Sequence, residues 1–516
     1  MKKYKSAALI ILDGFGLSDK MYGNAIKNAK ADFINEIFQK YPFTSLKAHG
    51  KDVGLPYNTM GNSEVGHSNI GAGRILMQDL TKIDEEIENN TLKNNNVLLN
   101  FLNSVKQGNG RIHLMGLISE SGVHAELSHL LYLINFFYEN NAKEIYIHGF
   151  LDGRDSPPKS SDAFLKKLLN GIKKTGGKAS VSSLIGRFYA MDRDTRWDRV
   201  KIAFNMLTKL EGEKYNDVFE AINDNYSQGI TDEFIKPSII KQNNYGKDGR
   251  INTEDGVLFI NFRADRAKEI TEALSLEAFN FFDRGSFKPV KNFISMTKYD
   301  DSFKNKYIIE PQNYKNILGE VISDNNLKQF RIAETEKYAH VTYFFNCGRE
   351  EPFENEDRLL IPSPREYRTY DLIPEMSAYK IKDALVEKLK LNEYSLYVCN
   401  FANCDMVGHT GNYDAAVKAV ETVNFVLKEI IPVILKNDGV CIVTSDHGNA
   451  ETMIDGDNGT PMTNHTLNPV PFCIISNYTN EIPKLKQGRL SDIAPTILRL
   501  LDINIPTEMT GRVLWE

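Results

Sequence analysis

Cysteine is scarce in this chain of 516 residues: five are present, at 347, 399, 404, 441 and 473, and no two form a C-x-x-C pair. Most sit in apolar surroundings, which excludes a disulfide framework and suits reduced thiols in a cytoplasm. Long apolar runs are missing too. The first, Ala7 to Leu12 behind Met1-Lys2-Lys3-Tyr4-Lys5, is stopped by Asp13. That is too short for a signal core or a membrane span, so a soluble, unprocessed chain with no membrane partner is expected. No long basic block appears and the net charge of −6 is modest, which excludes nucleic acid as a partner. No internal repeat or low-complexity tract stands out, and the Asn-rich stretch 88–96 reads as a helix end and loop. What remains is a chain too long for one ordinary core, so two or three domains are expected.

Histidine is also rare, ten in all, and its placement is informative. Val440 to Thr444 reads as a buried parallel strand closed by Ser445-Asp446-His447-Gly448-Asn449, and the carboxyl ends of such strands are where α/β sheets place ligands. Asp405 and His409 stand i and i+4 after another apolar run, Leu396 to Phe401, and His465 follows downstream. One Asp-His pair at a strand end is commonly just a hydrogen-bonded loop. Repetition of the pattern points to a mixed nitrogen and oxygen ligand set for a transition metal. Asp13, closing the strand Ala7 to Leu12, is a further candidate ligand. The spacing over Asn24 to Tyr41 predicts a covering helix, as does Ser377 to Leu389.

In Leu55 to Arg74, small residues and turn formers crowd around Ser63. A serine presented at a helix start is either the N-cap or a nucleophile that receives an anion, and only a nearby metal would favour the second, because no adjacent His and Asp supply a base. From about Gln78 to Pro311 the strand ends turn to arginine. They carry Ser119 to His124, Asp152-Gly153-Arg154-Asp155, Gly186-Arg187 to Arg196 and Arg263-Ala264-Asp265-Arg266. Guanidinium groups converging from several strand ends would clamp a polyanionic substrate. If the segments on either side of this stretch share one site, the stretch is an inserted domain. Its crossings, Gln78 to Asp84 and roughly Lys288 to Tyr314, are then hinge candidates. Lys337, amid acids and aromatics, reads either as a salt-bridged structural lysine or as a phosphate contact.

Asp13-Gly14-Phe15-Gly16, Met60 to His67, Asp152 to Asp155, Phe262 to Arg266, Ala333 to Thr342, Asn403 to Asn412 and Ser445 to Asn449 occur in one order over essentially the whole chain. Together they resemble the cofactor-independent phosphoglycerate mutases of the alkaline phosphatase superfamily. The resemblance implies an α/β fold: an alkaline-phosphatase-like sheet sandwiched by helices (1–77 and 312–516), with a second α/β domain (78–311) inserted for substrate binding. It implies interconversion of 3-phosphoglycerate and 2-phosphoglycerate through a phosphoserine on Ser63, without 2,3-bisphosphoglycerate, by a cytoplasmic monomer. It implies two Mn²⁺ per chain, with Zn²⁺ or Co²⁺ as substitutes, one on Asp405, His409 and His465 and the other on Asp13, Ser63, Asp446 and His447. It assigns His124, Arg154, Asp155, Arg187, Arg193, Arg263, Arg266 and Lys337 to the substrate, so that for Lys337 it reverses the structural reading, and Asp155 is the expected proton relay. Cys404 stands where the family usually has Pro, and Cys347 where it usually has Gly; these departures bear on local loop geometry and thiol sensitivity, not on the reaction. A phosphomonoester hydrolase would share the metal residues but not need the arginine clamp. A sulfatase is disfavoured, since no C-x-P-x-R signature is present.

Overall fold

The computed structural model describes every residue except 1–3, 242–247, 312–313 and 457–458. The expectation for Met1 to Lys3, and Gln312 and Asn313 within the expected return crossing, lie outside the described residues. The chain is α/β and divides into two compact units, residues 1–78 with 313–516 and residues 79–312. Each crossing falls one residue beyond the boundary expected from sequence.

The first unit is built on an eight-stranded sheet in the order Glu356–Ile361, Gln329–Glu334, Leu396–Phe401, Ala7–Leu12, Val440–Thr444, Val470–Ile475, Phe43–Lys47, Gly488–Arg489. The first five run parallel, and Val470–Ile475 is antiparallel to both its neighbours. The central strand explains why its sequence shows no polar alternation. Ala7, Leu9 and Ile11 enter one apolar core and Ala8, Ile10 and Leu12 the other, so both faces of the sheet are covered and every position must be apolar. The helix Tyr413–Lys436 covers one face with Val420, Val423, Leu427, Ile430 and Ile434, the three-to-four-residue spacing of a buried stripe.

The second unit has its own eight-stranded sheet: Lys306–Ile309, Asn292–Thr297, Gly256–Phe259, Arg111–Ile118, Glu144–Leu151, Ala179–Gly186, Ser238–Ile240, Glu213–Tyr215. Its central strands are parallel and a single apolar core surrounds them.

One sequence expectation needs correction, and two need detail. The helix expected over Asn24 to Tyr41 is two helices, Ala25–Asn28 and Asp32–Lys40. Ala29 turns extended between them while the Lys30 N–H donates to Glu421, an anchor that helical periodicity does not reveal. The expected hinge Gln78 to Asp84 is mostly the start of a helix, Asp79–Glu88. The expected return crossing, Lys288 to Tyr314, includes the two strands Asn292–Thr297 and Lys306–Ile309.

Candidate active site

Four adjacent parallel strands of the first unit, Gln329–Glu334, Leu396–Phe401, Ala7–Leu12 and Val440–Thr444, end on one edge of the sheet. Just past those ends stand Lys337, Asp405, Asp13 and the pair Asp446-His447, all buried. The loops pack backbone against backbone: at Gly14, with φ +73°, a Cβ would lie 2.7 Å from Asp405 Cα, so only glycine fits. His409 follows Asp405 by one helical turn and reaches its Oδ1 at 3.2 Å, as does His465 from a later loop. His465 Nε2 and His409 Nε2 are 3.0 Å apart.

Ser63 opens the helix Ser63–Ala72, but Asn62 is its N-cap and accepts the Val65 N–H. The serine hydroxyl is thereby left for other partners. It donates to Asp13 Oδ1 at 3.2 Å, lies 2.9 Å from His447 Nε2 and accepts from Lys337 Nζ at 2.6 Å. The helix sits tightly on the Asp446 loop, since a Cβ at Gly66 would meet Asp446 Cβ at 2.8 Å. Lys337 Nζ also donates to Asp13 Oδ1 and Asp405 Oδ2, each at 2.7 Å. Of the two readings open for Lys337, its ion pairs with Asp13 and Asp405 fit the salt-bridged lysine, and its ammonium also reaches the Ser63 hydroxyl.

Three buried carboxyls around one lysine leave an excess of negative charge, and an uncompensated buried charge costs several kcal/mol. Burial, with Asp446 and Asp405 close by, raises the Asp13 pKa. Burial also opposes ionisation of Asp405 and Asp446, yet Lys337 and the neighbouring imidazoles outweigh it and hold both well below the usual carboxylate range. Lys337, despite burial, is held protonated by Asp13, Asp405 and Asp446. Asp446 Oδ2 is buried and, among the described residues, accepts no well-formed hydrogen bond, with His67 Nδ1 at 3.3 Å and His447 Nε2 at 3.5 Å. Two groups, Asp13-Asp446-His447 and Asp405-His447-His465, each offer ligand atoms within 4.8 Å of one another. Carboxylate oxygens and imidazole nitrogens so arranged fit divalent cations.

The second unit repeats the arrangement with opposite charge. Strands Gly256–Phe259, Arg111–Ile118, Glu144–Leu151 and Ala179–Gly186 are adjacent and parallel, and arginines lie beyond three of their four ends. Arg187, buried, donates to Asp152 at 2.7 Å and Asp155 at 2.6 Å. Asp265 pairs with Arg193 at 3.0 Å and Arg263 at 3.2 Å. His124 lies 3.7 Å from both Asp155 and Asp265; burial, reinforced by Arg187, lowers its pKa to about 4. Arg154, Arg187, Arg193 and Arg266 line a polar cavity of about 350 Å³. Of the expected substrate residues, Lys337 lies in the first unit, at the Ser63 hydroxyl, and the others are in the second unit.

The chain matches the family model of the metalloenzyme superfamily over residues 5–505. It is 48% identical over 517 residues to a 2,3-bisphosphoglycerate-independent phosphoglycerate mutase of Clostridium acetobutylicum, with 99% of each chain covered, and 46% identical over 511 residues to one of Clostridium botulinum, again covering 99% of each. The chain belongs to the 2,3-bisphosphoglycerate-independent phosphoglycerate mutase family. These enzymes are isomerases. A solved Leishmania mexicana phosphoglycerate mutase, crystallised at low cobalt concentration, is similar across 99% of this chain and 98% of its own, at 30% identity and a TM-score of 0.61.

Within that family the two unusual cysteines have structural readings. Cys347 adopts φ +54°, in the left-handed region where glycine is the easy choice. Cys404 lies in the first turn of the helix Asn403–Gly408, where proline needs no amide partner. Burial raises the Cys347 thiol to about 12 and Cys404 higher still, so neither is a ready thiolate. Sequence reasoning missed Asn400, which donates to Asp13 Oδ2 at 2.7 Å and faces His67 Nε2 at 3.0 Å. A polar residue inside the apolar strand Leu396–Phe401 was its signal. It also missed Arg199, on the rim of the arginine cavity with its guanidinium 3.8 Å from the Phe188 ring centre.

Proposed function

We propose that this chain interconverts 3-phosphoglycerate and 2-phosphoglycerate, in glycolysis and gluconeogenesis, by passing the phosphoryl group through Ser63 with the aid of two divalent cations. The observation that carries the reading is the convergence of Lys337 Nζ, His447 Nε2 and Asp13 Oδ1 on one serine hydroxyl, at 2.6, 2.9 and 3.2 Å. Asp405, His409 and His465 would hold one cation, and Asp13, Ser63, Asp446 and His447 the other. When bound, the cations supply Lewis-acid polarisation of the serine and phosphate oxygens; the mixed oxygen and imidazole set suits Mn²⁺, with Zn²⁺ or Co²⁺ as substitutes.

Lys337, held protonated, stabilises negative charge developing on Ser63 Oγ. Ser63 Oγ, its proton already given up to solvent, attacks phosphorus; the bond from phosphorus to the glycerate oxygen breaks and that oxygen takes the proton held by Asp155, and Ser63 Oγ is released as the alkoxide when the second transfer breaks its bond to phosphorus. His124, Arg154, Arg187, Arg193, Arg263 and Arg266 grip the glycerate carboxylate and hydroxyls by charge-assisted hydrogen bonds. Retained there, the glycerate attacks the phosphoserine through its other hydroxyl, and Asp155 relays the protons between the two hydroxyls, with neutral His124 beside it.

The deciding assay supplies 3-phosphoglycerate and Mn²⁺ with no bisphosphoglycerate and follows phosphorus by NMR. Appearance of the 2-isomer, with a phosphopeptide containing Ser63 after acid quench, is the expected result. Release of inorganic phosphate in its place makes the protein a hydrolase, and a phosphopeptide lacking Ser63 removes the proposed acceptor.

A further inference from the structure

The Ser63 centre draws its side chains from loops that leave different strands, and those side chains include three carboxyls that repel one another. The loops therefore need a restraint outside the centre. Glu451, 1% exposed, lies just past His447 on the Asp446 loop. Its Oε2 accepts the backbone N–H of Gly16 at 3.0 Å and of Asn449 at 2.8 Å. Its Oε1 accepts Asn468 Nδ2 at 2.9 Å and the Thr466 hydroxyl. Four donors on two oxygens is the pattern a carboxylate takes. Gly16 is on the Asp13 loop, Asn449 on the Asp446-His447 loop, and Thr466 adjoins His465. One buried group thus ties three loops that end in candidate ligands.

The backbone is shaped around it. A Cβ at Gly16 would fall 2.2 Å from Glu451 Cδ, and one at Gly448 would fall 2.3 Å from Glu451 Oε1. Both glycines are what lets the carboxylate approach. The Thr466 N–H donates to the Gly448 carbonyl at 3.0 Å, closing the same knot from the other side.

We infer that Glu451 is a positioning residue: it fixes the spacing of Asp13, Asp446, His447 and His465 for the two cations without binding either. The inference rests on the two-cation reading above. Groups that orient ligands from behind typically govern metal affinity by about 10–100-fold.

Titration calorimetry of the metal-free full-length chain with Mn²⁺ tests it. Glu451→Gln keeps the shape but turns an NH₂ toward two donors, so Mn²⁺ affinity falls roughly 10–100-fold. The kcat recovers at saturating Mn²⁺ and KM for 3-phosphoglycerate stays within about twofold of wild type, because uniform substrate binding is untouched. Should Glu451→Gln fail to fold, Thr466→Val with Asn468→Ala removes both donors to Oε1, and a smaller loss of Mn²⁺ affinity is expected. Wild-type Mn²⁺ affinity in the folded variant, or a kcat loss that saturating metal does not restore, overturns the positioning role alone. A wild-type enzyme that turns over while binding no divalent cation overturns the two-cation reading, and this inference with it.

Discussion

The two units present similar sheet edges and opposite chemistry. In each, four adjacent parallel strands deliver polar residues to one edge. The first unit gathers Asp13, Asp405, Asp446 and three histidines around a single lysine; the second gathers arginines whose charges are largely met by Asp152, Asp155, Asp192 and Asp265. A surplus of buried carboxyls calls for cations. The arginine cluster is near balance, so its grip on an anion depends on which guanidinium is least satisfied from within. Arg266 donates only to the Met191 carbonyl among the bonds described, and burial together with Arg193, Arg187 and Arg154 depresses its pKa. A histidine and aspartate cluster alone is not a metal centre. Asp255, His113, His148 and Ser183 in the second unit form a buried chain at 3.0, 2.9 and 2.8 Å with every link a hydrogen bond, and leave nothing for a cation.

The largest effect should come from the first edge. Ser63→Ala removes the hydroxyl on which Lys337 and His447 converge, and kcat should fall at least about a thousandfold with the chain still folded. Chelation of divalent cations should cost as much and be reversed by Mn²⁺. Turnover that survives either treatment would mean that this edge is not where phosphoryl transfer occurs. Next come the arginines. Arg266→Ala should raise KM roughly 10–100-fold with a smaller change in kcat, since a charge-assisted hydrogen bond is worth about 1.5–3 kcal/mol. Arg187→Ala should behave differently: it strands Asp152 and Asp155 and should destabilise the second unit by about 3–5 kcal/mol, visible in urea unfolding before any kinetic assay. If the two variants are indistinguishable, the distinction between Arg266, which only grips, and Arg187, which also holds Asp152 and Asp155 in place, fails.

Much of this was legible in the sequence, for a physical reason. Strands covered on both faces are continuous apolar runs, and whatever polar residue breaks the run sits at the carboxyl edge, so Asp13, Asp405, Asp446 and the arginine clusters announce themselves. Residues that act from behind do not. Asn400 looks like a blemish in a strand, and Glu451 like a loop acid, until the backbone shows the N–H groups of Gly16 and Asn449 aimed at it. Lys337 was ambiguous because ion pairing and proximity to a nucleophile share a sequence signature. The break at Ala29 and the strands near the return crossing were hidden because tertiary anchors and short strands at or next to a sheet edge carry little periodicity.

The smallest effects separate the units by the sign of their pH dependence. His124 in the second unit is held neutral, its pKa lowered to about 4 by burial and Arg187. The unfolded chain takes up that proton near pH 6.5, so the folded state loses stability as pH falls from about 6.5 toward 4, by up to about 3 kcal/mol. Glu334 in the first unit, fully buried with its carboxyl accepting from Ser363, is raised to about 7 by burial. The folded state keeps its proton where the unfolded chain gives it up, so stability is present below about pH 4.5 and lost as pH rises toward 7, again by no more than about 3 kcal/mol. Urea unfolding at pH 5 and pH 8 reads both. His124→Gln should narrow the deficit of wild type at pH 5, and Glu334→Gln should narrow the one at pH 8. Parallel pH profiles for wild type and both variants would show that neither group titrates across folding, and the contrast in sign between the two units would be lost.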